Sequence, residues 1–98
     1  MGSYGDYLTY TITDGKVTIT ECITTASGYL VIPSNIDGLP VTSIGNNAFY
    51  NCNLLTFIEI PNSVLSIGVW AFRSCTSLSS ITIPVSVANI GIYAFRSC

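Results

Sequence analysis

Residues 41–63 read VTSIGNNAFYNCNLLTFIEIPNS and residues 64–86 read VLSIGVWAFRSCTSLSSITIPVS, and twelve of the 23 aligned positions are identical. Residues 87–98, VANIGIYAFRSC, open a third copy that matches the second at eight of twelve positions. Self-similarity at a period of 20–50 residues is the signature of an array, in which each copy is one structural unit stacked on the next. Upstream, Tyr29-Leu30-Val31-Ile32-Pro33-Ser34 aligns with Phe57-Ile58-Glu59-Ile60-Pro61-Asn62, and its loop through Ile36-Asp37-Gly38-Leu39-Pro40 is about five residues longer.

Within a copy, Ile58 and Ile60 alternate with Glu59, as Ile81 and Ile83 do with Thr82. Period-two alternation of β-branched residues ended by Pro61 or Pro84 predicts one short strand per turn. The other half, Ile67-Gly68-x-x-Ala71-Phe72-x-x-Cys75, offers a glycine suited to a tight turn and apolar residues at helical spacing. It predicts a turn, with a short helical or 3₁₀ segment. One turn cannot stand alone, because roughly seven buried side chains at ~1.5–3 kcal/mol each face ~1–2 kcal/mol of backbone entropy for every ordered residue. Stacking is therefore obligatory, with like residues on like. Ile44, Ile67 and Ile90 should form one such column.

The expected fold class is a leucine-rich-repeat solenoid: a short parallel β-sheet on one side, turns and short 3₁₀ or helical segments on the other, and an N-terminal β-hairpin cap. The hairpin is read from Tyr7–Thr13 and Lys16–Thr20 around Asp14-Gly15, a strong turn signal. Residues 1–28 form the cap, with residues 1–3 readable as an expression remnant, and residues 29–98 the repeats, divided as 29–40, 41–63, 64–86 and 87–98. Ser80-Ile81-Thr82-Ile83 is expected to be an edge strand partly shielded by residues 87–98.

The motif I-G-x-x-A-F-x-x-C...L-x-x-I-x-I-P resembles the BspA-like, Treponema-type leucine-rich repeats of bacterial and protist surface proteins. It is carried here by Ile44-Gly45, Ala48-Phe49, Cys52, Leu55, Ile58, Ile60 and Pro61 and recurs at a fixed period. The resemblance covers residues 29–98. It implies cell-surface or extracellular display, adhesion to glycoproteins and protein contact, and it supplies no catalytic residues. Two departures stand out: few repeats, and Val69-Trp70 and Ile92-Tyr93 where the first copy has Asn46-Asn47.

Composition narrows the function. Three basic residues face five acidic ones, histidine is absent, and the net charge is −2, which disfavours nucleic acid and anionic membranes as partners. Charged residues are 8% of the chain, apolar residues 49%, and the mean hydropathy is +0.57, so part of the apolar surface is expected to meet a partner. No apolar run approaches the ~18 residues that would span a bilayer, so membrane insertion is not expected. The opening residues lack the basic and apolar regions of a signal peptide. Without histidine, and with Glu59 the lone acid of the full copies, no acid–base or nucleophilic constellation assembles. Gly45, Gly68 and Gly91 lie too far apart for a phosphate loop. The expectation is a protein that is not an enzyme and needs no cofactor.

Cys52, Cys75 and Cys98 repeat every 23 residues, with Cys22 in the cap. This is ladder spacing, and it favours buried thiols over disulfides and both over a metal site. Outward strand positions form two rows, Tyr29, Phe57, Ser80 and Val31, Glu59, Thr82, the candidate partner-binding residues. The alternative for Tyr29 and Phe57 is that they shield the cap. On the opposite edge, Val69, Trp70, Ile92 and Tyr93 are candidates for self-association, with a partner-protein site and side chains folded back onto the core as the competing readings; Ile81 and Ile83 are candidates for self-association through the strand edge. Arg73 and Arg96 occupy equivalent positions, which suggests solvent exposure and, less strongly, an anion clasp. Three functions follow: an interaction or adhesion module for a protein or glycoprotein, a self-associating repeat such as a homodimer, or a targeting module of a larger enzyme.

Overall fold

The computed structural model describes residues 2–5, 7–96 and 98, so Met1, within the stretch read as an expression remnant, Asp6 in the cap and Ser97 in the last copy lie outside the described residues. Ten strands are described: β1 (Gly2–Tyr4), β2 (Leu8–Thr13), β3 (Lys16–Cys22), β4 (Gly28–Val31), β5 (Asn35–Ile36), β6 (Leu39–Ile44), β7 (Leu55–Glu59), β8 (Ser66–Ile67), β9 (Ser80–Thr82) and β10 (Asn89–Ile90). They wind as a β-solenoid of about three turns with no helix among the described residues.

The sequence predicts one strand per turn, and the structure holds two. The first sheet runs β1-β2-β3-β6-β8-β10, and the second runs β4-β7-β9. The extra strand was illegible because β8 and β10 are two residues long, too short for any alternation to register. The two sheets and the turns between them enclose the core. In register across the first sheet stand Ile19, Ile44, Ile67 and Ile90, and across the second Leu30, Ile58 and Ile81. The predicted isoleucine column is therefore present. Phe49 and Phe72 are fully buried, and Phe49, Phe72 and Phe95 stack at centroid separations of 5.0 and 5.2 Å.

The hairpin of β2 and β3 forms around Asp14 (φ 52°) and Gly15 (φ 74°), both left-handed as a type I′ turn demands. It is more than a lid: β3 pairs in parallel with β6 and so serves as the first rung of the sheet, while β1 adds an antiparallel strand outside β2. The five-residue insertion makes a second, smaller hairpin, β5 with the start of β6, again around an Asp-Gly pair, Asp37 (φ 53°) and Gly38 (φ 79°). Residues 88–96 bond to β8 and to the turn that follows it, and β9 is left as the edge of its sheet.

The segment expected to hold a helical turn has a different solution. Amides alternate: Ala48, Tyr50 and Cys52 donate to carbonyls three residues back, those of Gly45, Asn47 and Phe49, while Asn47, Phe49 and Asn51 donate to Val69, Ala71 and Arg73 of the next rung. Half the amides thus close tight turns and half tie rungs together, which satisfies the buried backbone without a helix. This alternation requires left-handed residues, and they are Asn47, Asn51, Trp70, Ser74 and Tyr93, all with φ near 60°.

The glycines open those turns, as the carbonyls that accept from Ala48, Ala71 and Ala94, but they do not supply the left-handed φ. None of Gly45, Gly68 and Gly91 has positive φ. Glycine is needed there for close approach: a Cβ on Gly68 would stand 2.5 Å from Asn46 Oδ1, 2.6 Å from Asn46 N and 2.7 Å from Gly45 C. Successive rungs meet backbone to backbone at this column.

Candidate functional site

The second sheet presents one outward face built by register. Tyr29, Phe57 and Ser80 are paired across β4, β7 and β9, and so are Val31, Glu59 and Thr82. All six candidate partner-binding residues fall on this face in the two predicted rows. Tyr29 is 60% exposed, its ring stacks on Phe57 at 4.5 Å, and its hydroxyl donates to Glu59 Oε1 at 2.8 Å. That hydrogen bond, with Glu59's negative charge adding to it, holds the Tyr29 phenol above its ordinary pKa. Phe57 is half-buried, whereas Val31, Glu59, Ser80 and Thr82 are exposed. Tyr29 also borders a shallow groove of about 300 Å³ with Tyr7, Ala26, Ser27 and Leu30, so it both meets the cap and presents a ring to solvent.

The opposite, turn-bearing edge carries a second constellation. Val69, Ile92 and Tyr93 are exposed and Trp70 is half-buried. Trp70 and Tyr93 lie 6.3 Å apart, tilted. Arg73 is not the freely solvated charge that its repetition suggests: it is half-buried, its Cζ 4.3 Å from the Trp70 ring and 5.6 Å from the Tyr50 ring. Arg96 is exposed and lies 5.0 Å from Tyr93. Guanidinium planes find favourable electrostatics over aromatic faces while their stems cover apolar surface. Ile81 and Ile83 belong elsewhere. They continue the inward positions of Ile58 and Ile60, and Ile81 packs on the core while Ile83 is 41% exposed.

The cysteines form the expected column of free thiols. Cys22, Cys52 and Cys75 are buried and Cys98 is exposed. Cys75 Sγ donates to Phe49 O at 3.1 Å and Cys98 Sγ to Phe72 O at 2.9 Å, each reaching back one rung. Burial pushes the Cys75 thiol up to about 12. Cys22 is also held protonated, first by its contact with Cys52 and then by burial.

A groove of about 480 Å³ over the first sheet was missed by the sequence reading. It is bordered by a polar row, Thr18, Ser43, Ser66 and Asn89, in register across β3, β6, β8 and β10. Ser66 Oγ contacts Ser43 Oγ at 3.1 Å. The signal was available: a polar residue precedes each isoleucine of the Ile44, Ile67, Ile90 column.

Known proteins agree with this geometry. The family model described as "BspA type Leucine rich repeat region (6 copies)" matches residues 42–98. Among solved structures, a T. pallidum leucine-rich repeat protein is 34% identical with a TM-score of 0.89, covering 100% of this chain and 46% of its own. A leucine-rich cell surface protein from Faecalibacterium prausnitzii is 32% identical, TM-score 0.85, covering 100% and 28%. A leucine-rich repeat protein from Bacteroides capillosus is 34% identical, TM-score 0.84, covering 95% and 72%. The chain thus spans less than half the length of the first two. No curated protein matches it. The repeat motif, its rung-by-rung stacking and these likenesses together place the chain in the BspA-type leucine-rich repeat family.

Proposed function

We propose that this chain is a non-catalytic interaction module that holds a protein or glycoprotein partner against the outward face of its second sheet. One observation carries the reading: an exposed Tyr29 ring stacked on the half-buried Phe57, its hydroxyl oriented by Glu59. Ring pairs of this kind offer large contact area with little side-chain entropy to lose, which is why aromatics are enriched in interfaces. The flanking Val31, Ser80 and Thr82 extend the platform with small, uncharged side chains. Display at a cell surface, as part of an adhesive array, is the biological setting we infer; support comes from the name of the F. prausnitzii cell surface protein.

The test is an array of extracellular-matrix proteins and glycans probed with labelled protein of checked oligomeric state. At least one matrix component should bind, and Tyr29→Ala with Phe57→Ala should weaken that interaction at least about tenfold, as loss of a central aromatic contact does. Binding unchanged in the double variant, or no binding by the wild type, rejects the face as the site.

A further inference from the structure

Both arginines of the repeats stand on the turn-bearing edge. Among the described residues, Arg73 and Arg96 have aromatic neighbours and no carboxylate partner. An aromatic ring engages the face of a guanidinium, whereas its five N–H donors radiate in the plane. The faces are therefore covered while the donor-bearing edges remain available. The rungs carrying the two arginines are tied by Trp70 N to Ile92 O at 3.2 Å, Phe72 N to Ala94 O at 2.7 Å and Ser74 N to Arg96 O at 2.9 Å. Backbones paired in this way lie about 4.8 Å apart, so two oriented cations are held side by side.

The ring beneath Arg73 is placed at a local cost. Trp70 has φ 59° and Tyr93 has φ 60°, a left-handed conformation that bulky residues rarely adopt. The equivalent residue of the first copy is Asn47, with φ 60°, a residue type well suited to it. The Trp70 indole N–H is also covered and finds no acceptor among the described residues. Within this chain the aromatic and the arginine travel together: Trp70 precedes Arg73 and Tyr93 precedes Arg96 by three residues, whereas Asn47 precedes Tyr50. Strain retained where a compatible residue exists points to a role for the pair.

The same two turns carry exposed aliphatic side chains next in sequence to the stacked rings, Val69 at 42%, which also borders the groove over the first sheet, and Ile92 at 68%. Two cations on turns that also expose apolar side chains suit a ligand that presents carboxylates together with apolar groups. A polysaccharide would match the charge and leave Val69 and Ile92 against hydrated hydroxyls. A second copy in two-fold contact would set arginine against arginine, since the acids among the described residues, Asp14, Glu21, Asp37 and Glu59, lie on the cap, the insertion and the strand face. We infer that this edge is a docking site for an acidic, partly apolar peptide segment of another protein, whose carboxylates lie in the planes of Arg73 and Arg96 and whose apolar side chains cover Val69 and Ile92. The inference is independent of the strand-face reading, because the two sets of residues share no member.

Trp70 is the chain's single tryptophan, so its emission reports on the site directly. The probe is a synthetic octapeptide of alternating glutamate and leucine, titrated at low ionic strength with a lysine–leucine peptide as control. The acidic peptide should shift Trp70 emission saturably and the basic one should not. Arg96→Gln, at an exposed position, should weaken binding about tenfold, and Arg96→Lys should recover only part of it, since an ammonium lacks the planar donor fork. Ile92→Asn, also exposed, should weaken it as well. Wild-type emission unmoved by the acidic peptide, or equal affinity in Arg96→Gln, overturns the site. Heparin producing the saturable shift where the peptide does not overturns the occupant in favour of a sulfated polysaccharide. Sedimentation of the free protein as a dimer that Ile92→Asn dissociates assigns the edge to a second copy and overturns it too.

Discussion

Replacing Gly68 by alanine tests the packing of successive rungs, with Gly45→Ala as its internal control. A methyl on Gly68 would meet Asn46 Oδ1 at 2.5 Å, Asn46 N at 2.6 Å and Gly45 C at 2.7 Å. Carbon contacts become favourable only near 3.5 Å, so the rungs must part by about 1 Å. They are not free to do so, being tied beside the clash by Gly68 N to Ile44 O and by Val69 N to Asn46 Oδ1, each 2.8 Å. Overpacking costs roughly 1–3 kcal/mol, and a clash against backbone sits at the top of that range. Alanine recovers about 0.4–1 kcal/mol by restricting the unfolded chain, which leaves a net loss of about 2–3 kcal/mol. At Gly45 the nearest atom, Ile19 O, is 3.1 Å away and the next 3.5 Å, so a few tenths of an ångström suffice and the net change should lie within about 1 kcal/mol of zero. Urea unfolding of the three proteins compares them on one scale. Equal losses at Gly68 and Gly45 would refute the argument that inter-rung contact, rather than turn conformation, dictates glycine.

Asn51 is exposed with φ 61°, so Asn51→Val should lose about 1–2 kcal/mol while Asn51→Gly changes little, as read from thermal melts. Phe72, fully buried between Phe49 and Phe95, should cost about 3–5 kcal/mol as Phe72→Ala, a large share of a small domain's total, and its near-UV circular dichroism should weaken accordingly. The raised Cys75 thiol binds its proton in the folded state where the unfolded chain has released it, so its contribution is whole below pH about 9 and is lost as pH rises towards about 12. Alkaline titration of the wild type should destabilise it in that window more than Cys75→Ala, and equal profiles would contradict the assignment. In native protein at pH 8, a thiol reagent should label Cys98 well ahead of Cys75.

Register carried most of the candidate site into view. Once Ile58 and Ile60 are assigned inward by alternation, Phe57 and Glu59 must face outward, and a fixed period places Tyr29 and Val31 beside them. The turn-bearing edge was legible as a composition, Val69-Trp70 and Ile92-Tyr93, but not as an arrangement. Arg73's place over Trp70 depends on the left-handed backbone at position 70, which nothing in a tryptophan announces. The same blindness hides why the turns open with glycine: a sequence shows which residues permit an unusual φ, and only neighbours in space show which residues leave no room for a side chain.

A 23-residue repeat of apolar positions was sufficient by itself to determine a stacked array, its columns of isoleucine, phenylalanine and cysteine, and the Asp-Gly hairpin, because each follows from periodicity and local turn chemistry. Tertiary structure alone decided that each turn carries two strands instead of one, that β3 of the cap is the first rung, and that alternate amides in the turns reach across to the next rung. Those features arise from hydrogen bonds between rungs, whose partners are 22–27 residues apart and whose pairing exists only once the coil has closed on itself.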